Sequence, residues 1–132
     1  MTAATEPRDT PALSGLSPTL LRRTVGTGQT VFEGCLAFQR PVSATLASAP
    51  SPGVFVLGRL EESGLAGEDV GIRRGVFRYA NAGGGDALAL ADYGQPCFAA
   101  DNQTVAKTDG GGARPKAGVV RDVDASGVWV EI

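Results

Sequence analysis

Short apolar runs, each followed by turn-forming residues, recur about every ten residues from Thr30 to the end of the chain. Regular spacing of this kind is typical of an all-β sandwich or barrel. One interruption, 81–94, leaves room for one helical turn that Asp86 could cap and Gly94 could end. We therefore expect a compact antiparallel β-sandwich or barrel with at most one short helix. The predicted strands are 30–38, 53–61, 70–80, 95–102, 103–108, 116–123 and 127–132.

The first 29 residues lack this pattern and contain three prolines, Pro7, Pro11 and Pro18, among small polar residues. Proline favours extended backbone and interrupts helices, and the segment has few apolar side chains to bury. We expect residues 1–29 to be either disordered or an extended N-terminal arm that orders on a partner, with residues 30–132 forming the β domain.

The arm would make its contact through four consecutive residues, Leu20, Leu21, Arg22 and Arg23. The two leucines would bury against the partner, and the two arginines would meet carboxylates on its surface. Leucines of this kind are not needed in a tail that stays in water.

The alternation of side chains along the predicted strands assigns their faces. In "GVWVEI", Val128 and Val130 share an apolar face, so the single tryptophan, Trp129, points away from the main core or into a second contact layer. In "IRRGVFRYA", Phe77 and Tyr79 share one, apolar face, whereas the arginines form an arginine-rich surface: Arg73, Arg74 and Arg78. Such a surface is either solvated or paired with carboxylates of a protein partner.

The segment "DVDASG" begins like a calcium loop, with oxygen-bearing residues at alternate positions followed by Gly127. The bidentate glutamate that completes such a loop would fall at position 133, beyond Ile132. We therefore interpret the segment as the turn of a β-hairpin, in which Asp122 or Asp124 accepts hydrogen bonds from nearby amides. No metal ligand or cofactor site is predicted, and calcium should not affect stability.

Composition narrows the function classes. The chain of 132 residues has no histidine, which removes the commonest general base and metal ligand, so we do not expect an enzyme. Basic and acidic residues are interspersed at a net charge of −2, which argues against a nucleic-acid partner.

Cys35 and Cys97 fit no metal or redox spacing and are read as reduced core residues. The sequence shows no signal peptide and no long apolar span, so we do not expect a membrane association.

Four segments carry a resemblance to a known family. They are "GRLEES", "GIRRGVFRYAN", "ADYGQPCFAADNQTVAKTDG" and "KAGVVRDVDASGVWVEI". Their order and texture resemble the head decoration, or cement, proteins of tailed bacteriophages and prophages. The resemblance covers residues 31–132 and does not extend to the N-terminal residues.

The resemblance implies a virion structural protein, made in the host cytoplasm, that sits on the outer capsid surface. Such a protein bridges neighbouring major capsid subunits and stabilises the shell, without catalytic residues. Its partners would be the major capsid protein and other copies of itself, as a homotrimer or a dimer. The alternative is the base of a head fibre, or a surface module that binds carbohydrate or a receptor.

Overall fold

The computed structural model describes residues 20–132, which form an all-β domain. No α-helix occurs in that range; its helical residues are two 3-10 turns, Gly84–Asp86 and Leu90–Asp92. The strands are β1 (Leu20–Thr24), β2 (Thr30–Val31), β3 (Leu36–Gln39), β4 (Leu46–Ala47), β5 (Phe55–Leu60), β6 (Gly64–Leu65), β7 (Asp69–Arg73), β8 (Val76–Asn81), β9 (Pro96–Ala99), β10 (Thr104–Ala106), β11 (Lys116–Asp124) and β12 (Gly127–Glu131).

The N-terminal half builds a five-stranded antiparallel sheet in the order β1-β7-β5-β3-β4. A parallel bridge between Val25 and Leu46 brings its two outer strands together, so the sheet curls back on itself. Strands β2 and β6 form a separate antiparallel pair. The core of this half contains Val25, Val31, Ala37, Leu46, Leu60, Val70 and Ile72.

The C-terminal half closes into a barrel in the order β10-β8-β12-β11-β9. Its neighbours run antiparallel except β10 and β8, which run parallel and complete the closure. Phe38 and Leu36 of β3 join the barrel's buried side chains in one core. The predicted β-sandwich or barrel class is therefore confirmed, with one parallel pair that the sequence pattern did not predict.

The predicted hairpin at "DVDASG" is confirmed. Strands β11 and β12 meet with Asp124 opposite Gly127, and the Ser126 amide donates to Asp124 Oδ1 at 2.7 Å. Gly127 has φ +147°, and a Cβ there would lie 2.4 Å from the carbonyl oxygen of Tyr79. Glycine is required at this position because neither the backbone angle nor the space suits a side chain. The predicted faces of β12 also hold, since Val128 and Val130 are buried and Trp129 is partly exposed.

Two predicted strands are wrong as single elements. The run 30–38 divides into β2 and β3, and the run 70–80 divides at Arg74 and Gly75 into β7 and β8. In each case the two parts belong to different sheets, so a turn must separate them. The change of sheet at Arg74 and Gly75 carries the chain from the curled sheet to the barrel.

The predicted arm boundary is also wrong for residues 20–25. Leu20–Thr24 is strand β1, paired in register with β7 from Leu20 opposite Arg73 to Thr24 opposite Asp69. Val25 is 1% exposed within the core of the curled sheet. These residues belong to the domain because β7 supplies backbone partners that the sequence pattern did not reveal. The rest of the predicted arm up to residue 19 lies outside the described residues.

Candidate functional site

Three arginines form two linked groups, in which Arg59 and Arg73 contact one glutamate while Arg59 and Arg78 lie over aromatic rings. Arg59 of β5 lies opposite Arg73 of β7 in the sheet register. Both guanidinium groups contact the same carboxylate oxygen, Oε1 of Glu61, at 2.8 Å from Arg59 and 3.2 Å from Arg73. Arg59 and Glu61 reach each other because residues two apart on a strand share a face. One carboxylate is thus shared by two guanidinium groups.

Arg59 also links the two halves of the fold. Its guanidinium carbon lies 4.2 Å from the centroid of the Phe77 ring, which belongs to β8 of the barrel. A guanidinium over an aromatic face is attracted by the ring quadrupole. The contact therefore fixes the direction of Arg59 at the junction of the curled sheet and the barrel.

Arg78 and Trp129 form the third part of the cluster. They lie directly opposite each other on β8 and β12, with the Arg78 guanidinium carbon 5.9 Å from the centroid of the Trp129 ring. The indole Nε1 of Trp129 donates to Asp124 Oδ2 at 3.4 Å. The tryptophan is thereby held between an arginine and the hairpin turn.

These side chains surround a surface cleft of about 430 Å³. We call it the arginine–aromatic cleft; its lining residues are Gly34, Arg59, Val76, Phe77, Arg78 and Trp129. Val76, which also lines the cleft, is 44% exposed. The cleft therefore combines positive charge, aromatic faces and an exposed aliphatic side chain.

The electrostatics of the cluster favour ionised carboxylates. The hydrogen bond from Arg59, together with the charges of Arg59 and Arg73, holds the pKa of Glu61 below its ordinary value. The Ser126 amide, followed by the Trp129 indole, lowers the pKa of Asp124 in the same way, and the charge of Arg78 adds to the effect. Both carboxylates are therefore charged at neutral pH.

The structure brings some of the predicted contact residues into this cluster and separates others. Arg73 joins it through Glu61, and Trp129 lines the cleft. Arg74 instead lines a second cleft, of about 400 Å³, together with Leu21 and the C-terminal Ile132. The predicted contact residues Trp129 and Arg74 therefore line two different clefts.

The predicted arm residues have partners within their own domain. Arg22 Nη2 contacts Glu62 Oε1 at 3.4 Å, and Arg23 Nε donates to Gln39 Oε1 at 2.8 Å. Leu21 packs, partly buried, against the core of the curled sheet. Contact of Leu20, Leu21, Arg22 and Arg23 with another protein stays a prediction.

Arg59 is the cleft residue that the sequence analysis missed. The signal was an arginine two positions before a glutamate in the predicted strand 53–61, which places both side chains on one face. Phe77 was assigned to the apolar face of its strand, and its partly buried ring does pack against the barrel core. Its exposed edge could not be inferred because it depends on where β5 approaches the barrel.

The described residues offer few reactive groups. Within residues 20–132 no three histidine, cysteine, aspartate or glutamate side chains are close enough to hold a metal ion. Burial raises the pKa of the Cys97 thiol to about 11, and burial, followed by the charge of Asp101, raises the pKa of Cys35. Both thiols are therefore protonated at neutral pH and are poor nucleophiles. No helix in residues 20–132 has the length and apolar character needed to cross a membrane.

Comparisons with known proteins found no match to this chain. No protein-family model, no curated protein and no solved structure is significantly similar to it.

Proposed function

We propose that this protein is a virion structural protein that binds the outside of an assembled capsid, bridges neighbouring major capsid subunits and stabilises the shell. The observation that carries the proposal is the arginine–aromatic cleft at the junction of the two halves. Tryptophan and arginine are the residues most enriched in the energetically dominant part of protein interfaces. Here both lie on strands that need no rearrangement to receive a partner.

The side chains of the cleft are suited to binding a partner more than to catalysing a reaction. The cleft contains guanidinium groups, aromatic rings and one aliphatic side chain, a set that recognises a protein surface by charge and shape. The resemblance of residues 31–132 to capsid cement proteins supplies the class of partner. A shell presents many equivalent sites, so copies of modest individual affinity that contact one another hold on together by multivalency.

Self-association is part of the proposal. A protein that bridges subunits around a symmetry axis commonly forms a closed homo-oligomer, and we propose a trimer, with a dimer as the other closed form. Light scattering during size-exclusion chromatography of the full chain measures the mass directly. If the protein is a monomer even at high concentration, a trimer could form only on the capsid surface.

A sedimentation experiment tests the proposed function. The full chain is mixed either with shells assembled from the major capsid protein of the same virus or with that protein before assembly. We expect saturable co-sedimentation with the shells, at a fixed ratio to the capsid protein, and higher shell melting temperatures. Failure to co-sediment with assembled shells at any concentration would exclude the proposal.

A further inference from the structure

The lining of the arginine–aromatic cleft contains two arginines, Arg59 and Arg78, and no carboxylate. Arg59 and Arg73 share the single carboxylate of Glu61. Arg78 makes no ion pair with any residue of 20–132, and Asp124, on which its charge acts, is hydrogen-bonded to Ser126 and Trp129. The lining therefore contains one guanidinium group without an ion-pair partner among the described residues, and a further carboxylate would balance its charge.

The lining of the cleft also favours a carboxylate that has apolar residues beside it in the partner's sequence. Val76 exposes nearly half of its surface, and the rings of Phe77 and Trp129 also line the cleft. A carboxylate alone would leave these groups in water, whereas an acidic residue flanked by aliphatic side chains would cover them. The cleft thus fits an amphipathic acidic segment.

The same domain contains a second arginine–aromatic pair in which the arginine does have an ion-pair partner. Arg121 lies over the ring of Tyr93, with its guanidinium carbon 5.8 Å from the ring centroid, much like Arg78 over Trp129. Arg121, however, also contacts Glu131 Oε2 at 3.0 Å. Stacking on an aromatic ring therefore does not by itself leave an arginine without an ion pair. The Arg78 site differs in lacking a carboxylate of its own.

We propose that the arginine–aromatic cleft receives an acidic residue of the major capsid protein, flanked by aliphatic residues, with Arg78 and Arg59 contacting the carboxylate. This inference rests on the proposed function for the identity of the partner. Its chemical part, the recognition of an amphipathic acidic segment, stands on the charges and rings of the cleft. Because the groups lie on β5, β8 and β12, binding requires little ordering of the protein.

Trp129 gives a direct readout because it is the only tryptophan in the chain. The probe is a capped pentapeptide with a central glutamate between leucines, titrated against the full-length protein while tryptophan fluorescence is recorded. The control peptide carries glutamine in place of glutamate. We expect a saturable change with the acidic peptide and about tenfold weaker binding of the glutamine peptide, because a charge-assisted hydrogen bond is lost.

Matched variants locate the site. Arg78→Gln should weaken the acidic peptide by about tenfold, to the level of the glutamine peptide, whereas Arg121→Gln should bind it as the unmodified protein does. Both positions are on the surface of the barrel, and far-ultraviolet circular dichroism verifies that each variant is folded. Equal responses to the two peptides, no saturable response at millimolar acidic peptide, or an unchanged response in Arg78→Gln would each overturn the inference.

Capsid binding separates this inference from the proposed function. If the unmodified protein coats shells and Arg78→Gln coats them at least about tenfold less tightly, both stand. If Arg78→Gln coats shells equally well, the capsid is not the occupant of the cleft, although the function stands. If the acidic peptide binds but the unmodified protein does not coat shells, the proposed function fails and the chemistry of the cleft survives. A dimer or trimer that dissociates in Arg78→Gln would assign the cleft to a second copy and overturn the capsid assignment.

Discussion

Arg59 stacks on Phe77 with its guanidinium carbon 4.2 Å from the ring centroid, and this pair joins the curled sheet to the barrel. The two halves also share buried side chains, since Phe38 of the sheet packs among the barrel residues. The junction is thus held by a core contact inside and by a stacked arginine at the surface. The candidate site lies on the surface part of that junction, so its geometry depends on how the halves meet.

Removing the stacked arginine should weaken the junction. Arg59→Ala loses both the contact with Phe77 and the ion pair with Glu61, for a cost of about 1 to 2 kcal/mol in the free energy of unfolding. Arg121→Ala removes a similar stack that lies within the barrel alone, and should cost less. Urea unfolding followed by tryptophan fluorescence measures both. Equal losses would mean that the Arg59 contact contributes nothing specific to the junction.

Two truncations test the corrected boundary of the domain. Deletion of residues 2–19 leaves every described strand in place and is the reference protein. Deletion of residues 2–24 also removes β1, its backbone pairing with β7 and the partly buried Leu21, and should cost on the order of 2 to 3 kcal/mol relative to that reference. Thermal unfolding of the two proteins gives the comparison. Identical melting temperatures would contradict the assignment of β1 to the domain.

Removing the hydroxyl of Tyr79 should not lower the free energy of unfolding, in contrast to the losses expected above. Tyr79 is 4% exposed, and its hydroxyl has no hydrogen-bond partner within residues 20–132. Burial raises the pKa of Tyr79, so the group is neutral at every ordinary pH. Tyr79→Phe removes an unsatisfied polar group and should leave the protein as stable as before or more stable, by up to about 1 to 2 kcal/mol. A clear loss of stability would reveal a bridging water at the hydroxyl.

Glu61 should make stability depend on pH in a defined direction. Its pKa is lower in the folded protein than the ordinary value of 4.5, so its ion pairs stabilise the fold above that pH. The contribution decreases as the pH falls below 4.5 and is lost once the pH passes the folded-state pKa. The difference in melting temperature between the unmodified protein and Glu61→Gln should therefore be largest near neutral pH and shrink in acid. A difference that is constant from neutral pH to pH 3 would contradict the assignment of the shift to Glu61.

Local patterns predicted the parts of the fold that local chemistry determines. The β11–β12 hairpin follows from "DASG" between two alternating runs, and the burial of Val128 and Val130 follows from the period of two. Strand β1 was missed because "LLRRT" has two leucines and then two arginines instead of alternating apolar and polar residues. Its partners in β7 lie 45 to 53 residues further along the chain. Such a pairing leaves no local signal.

The candidate site was only partly predictable for the same reason. Trp129 was identified because strand alternation turns it away from Val128 and Val130, and Arg73 and Arg78 were recognised as parts of an arginine-rich surface. The cleft itself forms where β5 of the curled sheet meets β8 and β12 of the barrel. That meeting is set by the packing of two distant halves, which no pattern within one strand encodes.

The copy number in purified virus particles is the sharpest test of the proposed function. The proposal assigns the chain to a virus, so particles of that virus are purified and the protein is quantified against the major capsid protein by mass spectrometry with labelled standards. A shell-stabilising protein should be present at a ratio of the same order as the major capsid protein, and mild removal should make the shells melt at a lower temperature. Absence from the particles, or the few copies expected of a fibre base, would contradict the account.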